Sequence, residues 1–169
     1  MLVVKKFLVR GALALAASMA FAALAATKVS EADSAFLQKV AQANAAEVKV
    51  SQTAQTRSKD ARIKAFADRM VKDHSENNRR LEALAKQKDV AVKPDPDPEH
   101  MLKIGTLQKL EGAQFDHAYA ALMVEDHRAA VALFEQAAKS AEDPDVKQFA
   151  ASTLPTLREH ATMADALPK

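Results

Sequence analysis

The 169-residue chain contains no cysteine and no tryptophan, and has only three glycines and one tyrosine. Without cysteine there is no disulfide, no thiolate nucleophile, no Cys-ligated zinc, no Fe–S cluster and no c-type haem attachment. No glycine-rich phosphate loop, nucleophile elbow or HExxH motif occurs in the sequence, so nucleotide-dependent and hydrolytic chemistries lack their usual residues. The expected cofactor set therefore excludes haem, Fe–S clusters and nucleotides. What remains is rich in alanine, leucine, lysine and glutamine, a composition that favours helices.

The one long apolar run stands at the beginning. Lys5, Lys6 and Arg10 precede an alanine- and leucine-rich stretch from Gly11 to Ala26 that ends in Ala23-Leu24-Ala25. A basic start, a short apolar core and an A-x-A site predict a cleavable signal peptide over residues 1–25, hence a periplasmic or secreted protein. The run is shorter than the ~20 residues of a membrane span, so the mature chain is not expected to be an integral membrane protein. Those three cations are part of the 24 basic residues set against 22 acids. Without them the chain is near neutral, and nothing in it asks for nucleic acid as a partner.

Residues 26–169 are expected to form one all-α domain. Ser30 is a candidate N-cap, with Asp33 placed to reach back to it, and the first long helix should run from about Glu31 to Arg57. A second, carrying Ile63, Phe66, Ala67, Met70, Leu81 and Leu84 on one face, should end near Lys88. The run KPDPDPE then excludes helix interior, which makes residues 89–112 a long connection with room for a short lid helix over His100 to Leu110. Gly112 opens a third long helix reaching about Lys139. Asp143-Pro144 caps a fourth, interrupted by Pro155.

The order hides a repeat. Asp60-x-x-Ile63-Lys64-x-Phe66-Ala67 matches Asp143-x-x-Val146-Lys147-x-Phe149-Ala150, and Phe36 precedes Glu47 by the same interval as Phe115 precedes Asp126. Two αα-hairpins, each with one uncovered apolar face, should pack as a four-helix bundle. The connection is long enough to cross the length of a helix, so the third helix can run parallel to the second, the ferritin-like arrangement.

Each long helix carries one ligand-type side chain on its apolar face: Glu47, His74, Asp126 and His160. Glu47 and His74 lie at similar distances from the first hairpin turn, as Asp126 and His160 do from the second. The four should meet near the middle of the bundle. Two carboxylates and two imidazoles suit a divalent metal ion such as iron, manganese or zinc. The competing reading is a pair of buried Glu–His and Asp–His hydrogen-bonded pairs that set helix register. Tyr119, on the stripe of Asp126, and His127, flanking it, are candidates to support the site from behind, as are Asp73, Glu125 and Glu159 at the margins of their stripes. Met70, Met123 and Met163 read as core filling, and His100 and His117 as surface residues.

The phrases FADRMVKDH (Phe66 to His74), GAQFDHAY (Gly112 to Tyr119), MVEDHRAAVALFEQAAK (Met123 to Lys139) and KQFAASTLPTLREH (Lys147 to His160) resemble the bacterial exported family named domain of unknown function 4142 (DUF4142), a ferritin-like group. The resemblance implies a four-helix envelope protein with no established activity. Val71 and Leu157 stand where di-iron members of the wider superfamily carry the Glu of their Glu-x-x-His pairs. The comparison therefore implies a mononuclear or non-metal site.

Together these features point to an exported, ferritin-like bundle that is metal-binding or stress-related. One alternative is a peroxide- or oxygen-handling metal oxidoreductase using Glu47, His74, Asp126 and His160. Another is a structural or interaction module of the envelope.

Overall fold

Ser30 caps the first helix, its hydroxyl accepting the Asp33 amide at 3.1 Å, and α1 then runs Glu31–Arg57. The computed structural model describes residues 28–168; the expected signal peptide lies outside the described residues. Asp33 does not reach back to Ser30. Its carboxylate instead accepts the amides of Glu142 and Asp143 at 3.1 and 2.8 Å, because folding brings the last hairpin turn against the start of α1 and leaves those two amides needing an acceptor.

The other elements are α2 (Ala61–Gln87), α3 (Pro98–Leu107), α4 (Gly112–Ser140) and α5 (Pro144–Asp165). The sequence repeat is a repeat of caps. Asp60 accepts the amides of Arg62 and Ile63, and Asp143 those of Asp145 and Val146, so both hairpins begin their second helix in the same way. Gly112 takes a φ of +55°, which a residue with a β-carbon adopts only under strain. Pro155 is accommodated within α5.

The architecture is an all-α bundle, and no strand occurs among the described residues. α1 packs antiparallel to α2 and α4 to α5 as hairpins. Phe36 near the start of α1 meets Phe134 near the end of α4, with ring centroids 5.2 Å apart. Asp73 and Asn77 of α2 face His160 and Thr153 of α5 in reverse order. Hence α4 is antiparallel to α1 and α5 to α2, which makes α4 parallel to α2 and requires the long connection. That connection is pinned to α1 by Gln38, whose side-chain amide bonds both the carbonyl and the amide of Lys93 at 3.0 and 2.9 Å. α3 then lies across α1 and α4.

The apolar core falls into two clusters. One gathers Val50, Ile63, Phe66, Met70, Phe115, Tyr119 and Met123, with Ile104 and Leu107 of α3. The other gathers Phe36, Leu37, Val40, Leu81, Phe134, Val146 and Phe149. A layer of buried polar side chains joins them: Asn44, Glu47, His74, Asn77, His127, Thr153 and His160. Burying so many polar groups in mid-bundle costs free energy unless each finds a partner, so their partners bear directly on function. No helix among the described residues is long and apolar enough to cross a membrane.

Candidate metal centre

Three of the buried polar residues are histidines from three different helices: His74 on α2, His127 on α4 and His160 on α5. Their ring centroids form a nearly equilateral triangle with sides of 5.6, 5.5 and 5.4 Å. One nitrogen from each ring lies within 4.8 Å of the others.

The hydrogen bonds decide what those nitrogens are. His74 Nδ1 is 2.9 Å from Asn44 Oδ1, His127 Nδ1 is 2.9 Å from the Met123 carbonyl, and His160 Nε2 is 2.9 Å from Asp73 Oδ2. All three partners are oxygen acceptors, so each of these ring nitrogens carries the proton and donates. The remaining nitrogens, His74 Nε2, His127 Nε2 and His160 Nδ1, are buried and have no hydrogen-bond partner. In the neutral rings each is a bare lone pair.

Protonation does not relieve the cluster. Burial, and then the neighbouring imidazoles His127 and His160, hold His74 well below the usual histidine range. Burial brings His127 down to about 4, against the help of the Met123 carbonyl. His160 is lowered by burial even though Asp73 favours its charged form. Three neutral imidazoles oriented by a carboxylate, an amide oxygen and a backbone carbonyl could form a metal site, and such outer partners are those that orient metal-ligating histidines generally. Metal–imidazole bonds are ~2.0–2.1 Å long, so closing on one ion asks each ring to move inward by less than about 1 Å.

Glu47 adds a fourth buried group from α1. It is 7% exposed, and its Oε2 has no partner. Burial, then the Asp126 carboxylate, push its pKa well above the usual carboxylate range, with Lys103 acting the other way. Glu47, His74, His127, Asp126, Lys103 and His100 all line a cavity of about 240 Å³ beneath α3. On the opposite side, a second opening of about 200 Å³ touches His74 and His160 and is lined by Arg69, Asp73, Asn77 and Arg80.

The four residues singled out in the sequence are thus distributed unequally. His74 and His160 meet in the cluster. Glu47 faces the adjoining cavity. Asp126 is bound to Lys103 of α3 at 3.0 Å, and burial raises its pKa while Lys103 lowers it. His127, expected beside the site, is one of its three corners. Tyr119, also expected there, bonds Ser51 at 2.9 Å and stacks on Phe115. Asp73 proves to be the partner of His160, whereas Asn44 went unrecognised, since an asparagine amid a helix gives no distinctive signal. His127 was legible in the run Phe115, Tyr119, Met123, His127, spaced by four and buried throughout. The side of α4 carrying Leu122 and Asp126 meets α3.

A family model described as Domain of unknown function (DUF4142) matches residues 18–167. No curated protein matches the sequence. Among solved structures, a DUF305 fragment from Deinococcus radiodurans has a TM-score of 0.72 at 19% identity, covering 81% of this chain and 95% of its own. CopM, in a Cu(II)-bound form, has a TM-score of 0.67 at 13% identity, covering 79% and 93%. A putative spore coat protein from Bacillus halodurans C-125 has a TM-score of 0.64 at 12% identity, covering 80% and 85%. At these identities the likeness is one of fold.

Proposed function

Since the chain belongs to the DUF4142 family, whose name carries no activity, we propose a function from the site itself: an exported metal-binding protein that holds one divalent transition-metal ion through His74, His127 and His160. The observation that carries this reading is a set of three buried imidazoles that each bring a nitrogen within 4.8 Å of the others and each keep one ring nitrogen without a hydrogen-bond partner. A hydrogen-bonded network built only for register would pair these atoms with one another or with donors, because orphaned buried polar groups cost ~1–3 kcal/mol each. A cation turns the same three lone pairs from a liability into ligands. Imidazole donors suit zinc, copper, iron and nickel, and affinity for such a set rises along the first-row series to copper. Export places the ion in the envelope and rests on the N-terminal segment of the sequence.

The test is a thermal melt of the purified protein with chelator and with added Zn(II) or Cu(II). An ion bound by the folded state alone raises the melting temperature by mass action. His127→Ala should abolish the rise. A wild-type melt indifferent to both metals would refute the reading.

A further inference from the structure

The two openings that reach the imidazole cluster differ in charge. The α2–α5 opening presents Arg69 and Arg80 beside Asp73 and Glu76, and Arg69 is paired with Asp73 and Glu159, so its charges balance and offer a cation no net attraction. The opening beneath α3 presents carboxylates, and Lys103 is held among them. Its ammonium lies 3.0 Å from Asp126, 3.1 Å from Glu125 and 3.6 Å from Glu99. Three carboxylate oxygens around one cation make the surroundings that a hard divalent ion also takes. Lining the same cavity, with His74 and His127, is Glu47, whose buried Oε2 is unpartnered.

We propose that Asp126, Glu125 and Glu99 form an outer cation site through which the metal ion reaches the imidazoles, that Lys103 occupies this site as a tethered, displaceable cation, and that Glu47 is the carboxylate over which the ion passes inward. An arriving divalent ion competes with the Lys103 ammonium for the same oxygens. Its displacement breaks the ion pairs from Lys103 to Glu125 and Asp126 that tie α3 to α4 at this point. Asp126 and Glu47 thereby act on the rate of loading, while the three histidines set the final affinity. This assignment rests on the metal-binding reading above.

Tyr119 is the chain's one tyrosine, with no tryptophan present, and its ring packs on Phe66, which also packs on His127. Quenching of its fluorescence by Cu(II) therefore reports arrival of the ion in stopped flow, and equilibrium titration with a competing chelator gives the affinity separately. Asp126→Asn and Glu47→Gln should each slow Cu(II) loading at least tenfold and change the equilibrium affinity less than threefold. Lys103→Met should speed loading, and Lys103→Gln should do the same should the methionine variant fold poorly. Arg80→Gln, in the other opening, should leave the rate unchanged. In the wild type, raising the ionic strength should slow loading, since screening weakens attraction to an acidic mouth. Absence of Cu(II) binding at equilibrium would sink the metal-binding reading. Normal equilibrium binding with loading rates unmoved by Asp126→Asn and Glu47→Gln, or moved only by Arg80→Gln, would overturn the route. A more than tenfold loss of affinity in Glu47→Gln would make Glu47 a ligand and overturn its assigned role.

Discussion

His160 donates from Nε2 to Asp73 Oδ2 at 2.9 Å, and Asp73 is itself paired with Arg69 one turn earlier on α2. Although burial opposes it, Arg69 and His160 hold the Asp73 carboxyl below its ordinary range, so at neutral pH it is an acceptor. That bond keeps the His160 proton on Nε2 and leaves its Nδ1 a bare lone pair.

Asp73→Asn should weaken metal binding without removing any proposed ligand. The amide can present a donor to His160 and stabilise the wrong tautomer, and losses of roughly 10–100-fold accompany removal of such outer partners. Competition titration against a chelator measures this; an affinity within twofold of wild type would show that Asp73 does not orient the ring.

The apoprotein should lose stability as pH falls from about 6.5 toward 4. His127 has its folded-state pKa lowered to about 4 against an ordinary value of 6.5, so between those values the unfolded chain takes up a proton that the folded chain refuses. Stability from this group is therefore complete above 6.5 and lost on descending through the window, on the order of 3 kcal/mol for a shift of this size. His74 and His160, also lowered, act in the same sense. Urea denaturation at several pH values in the presence of chelator should show the slope, and His127→Leu should flatten it.

Glu47→Gln should stabilise the metal-free protein at high pH. Its raised folded-state pKa means that above the unfolded value of 4.5 the folded chain must hold a proton or a desolvated charge that the unfolded chain does not. Removing the ionisable group should gain roughly 1–3 kcal/mol at pH 8, and the gain should fade below pH 4.5, where the carboxyl is protonated in both states. A destabilised variant at pH 8 would mean that the Glu47 carboxylate makes a favourable interaction there.

Tyr119 and Ser51 form a fully buried hydroxyl pair at 2.9 Å. Tyr119→Phe leaves the Ser51 hydroxyl alone and should cost about 1–3 kcal/mol. Adding Ser51→Ala should restore part of it, since removing both partners removes the unmet hydrogen bond. Metal affinity should be unchanged in both variants. A metal-binding defect in Tyr119→Phe would place its hydroxyl in the site after all.

Much of the fold was legible in local sequence because helix starts and stops are local events. Ser30, Asp60 and Asp143 act as caps within their own turns, and the Pro-Asp run cannot be helix interior. The 3.6-residue period is likewise enough to put His74 and His160 on buried faces. It resolves position around a helix only to within a broad arc, however, and Asp126 and His127 are one step of 100° apart. Which of the two is buried depends on which neighbours cover that side of α4: Phe66 and His74 of α2 and His160 of α5 pack on His127, whereas Asp126 stays at the rim with Lys103. The choice of protonated nitrogen depends on Asn44, Met123 and Asp73. Two of these lie on a different helix from the ring they orient, and no pattern along a single helix records that contact. The sequence by itself determined four amphipathic helices and a polar layer at their middle; the packing of the hairpins decided which side chains meet there and with which atoms, because side-chain direction across an interface is set by the partner surface.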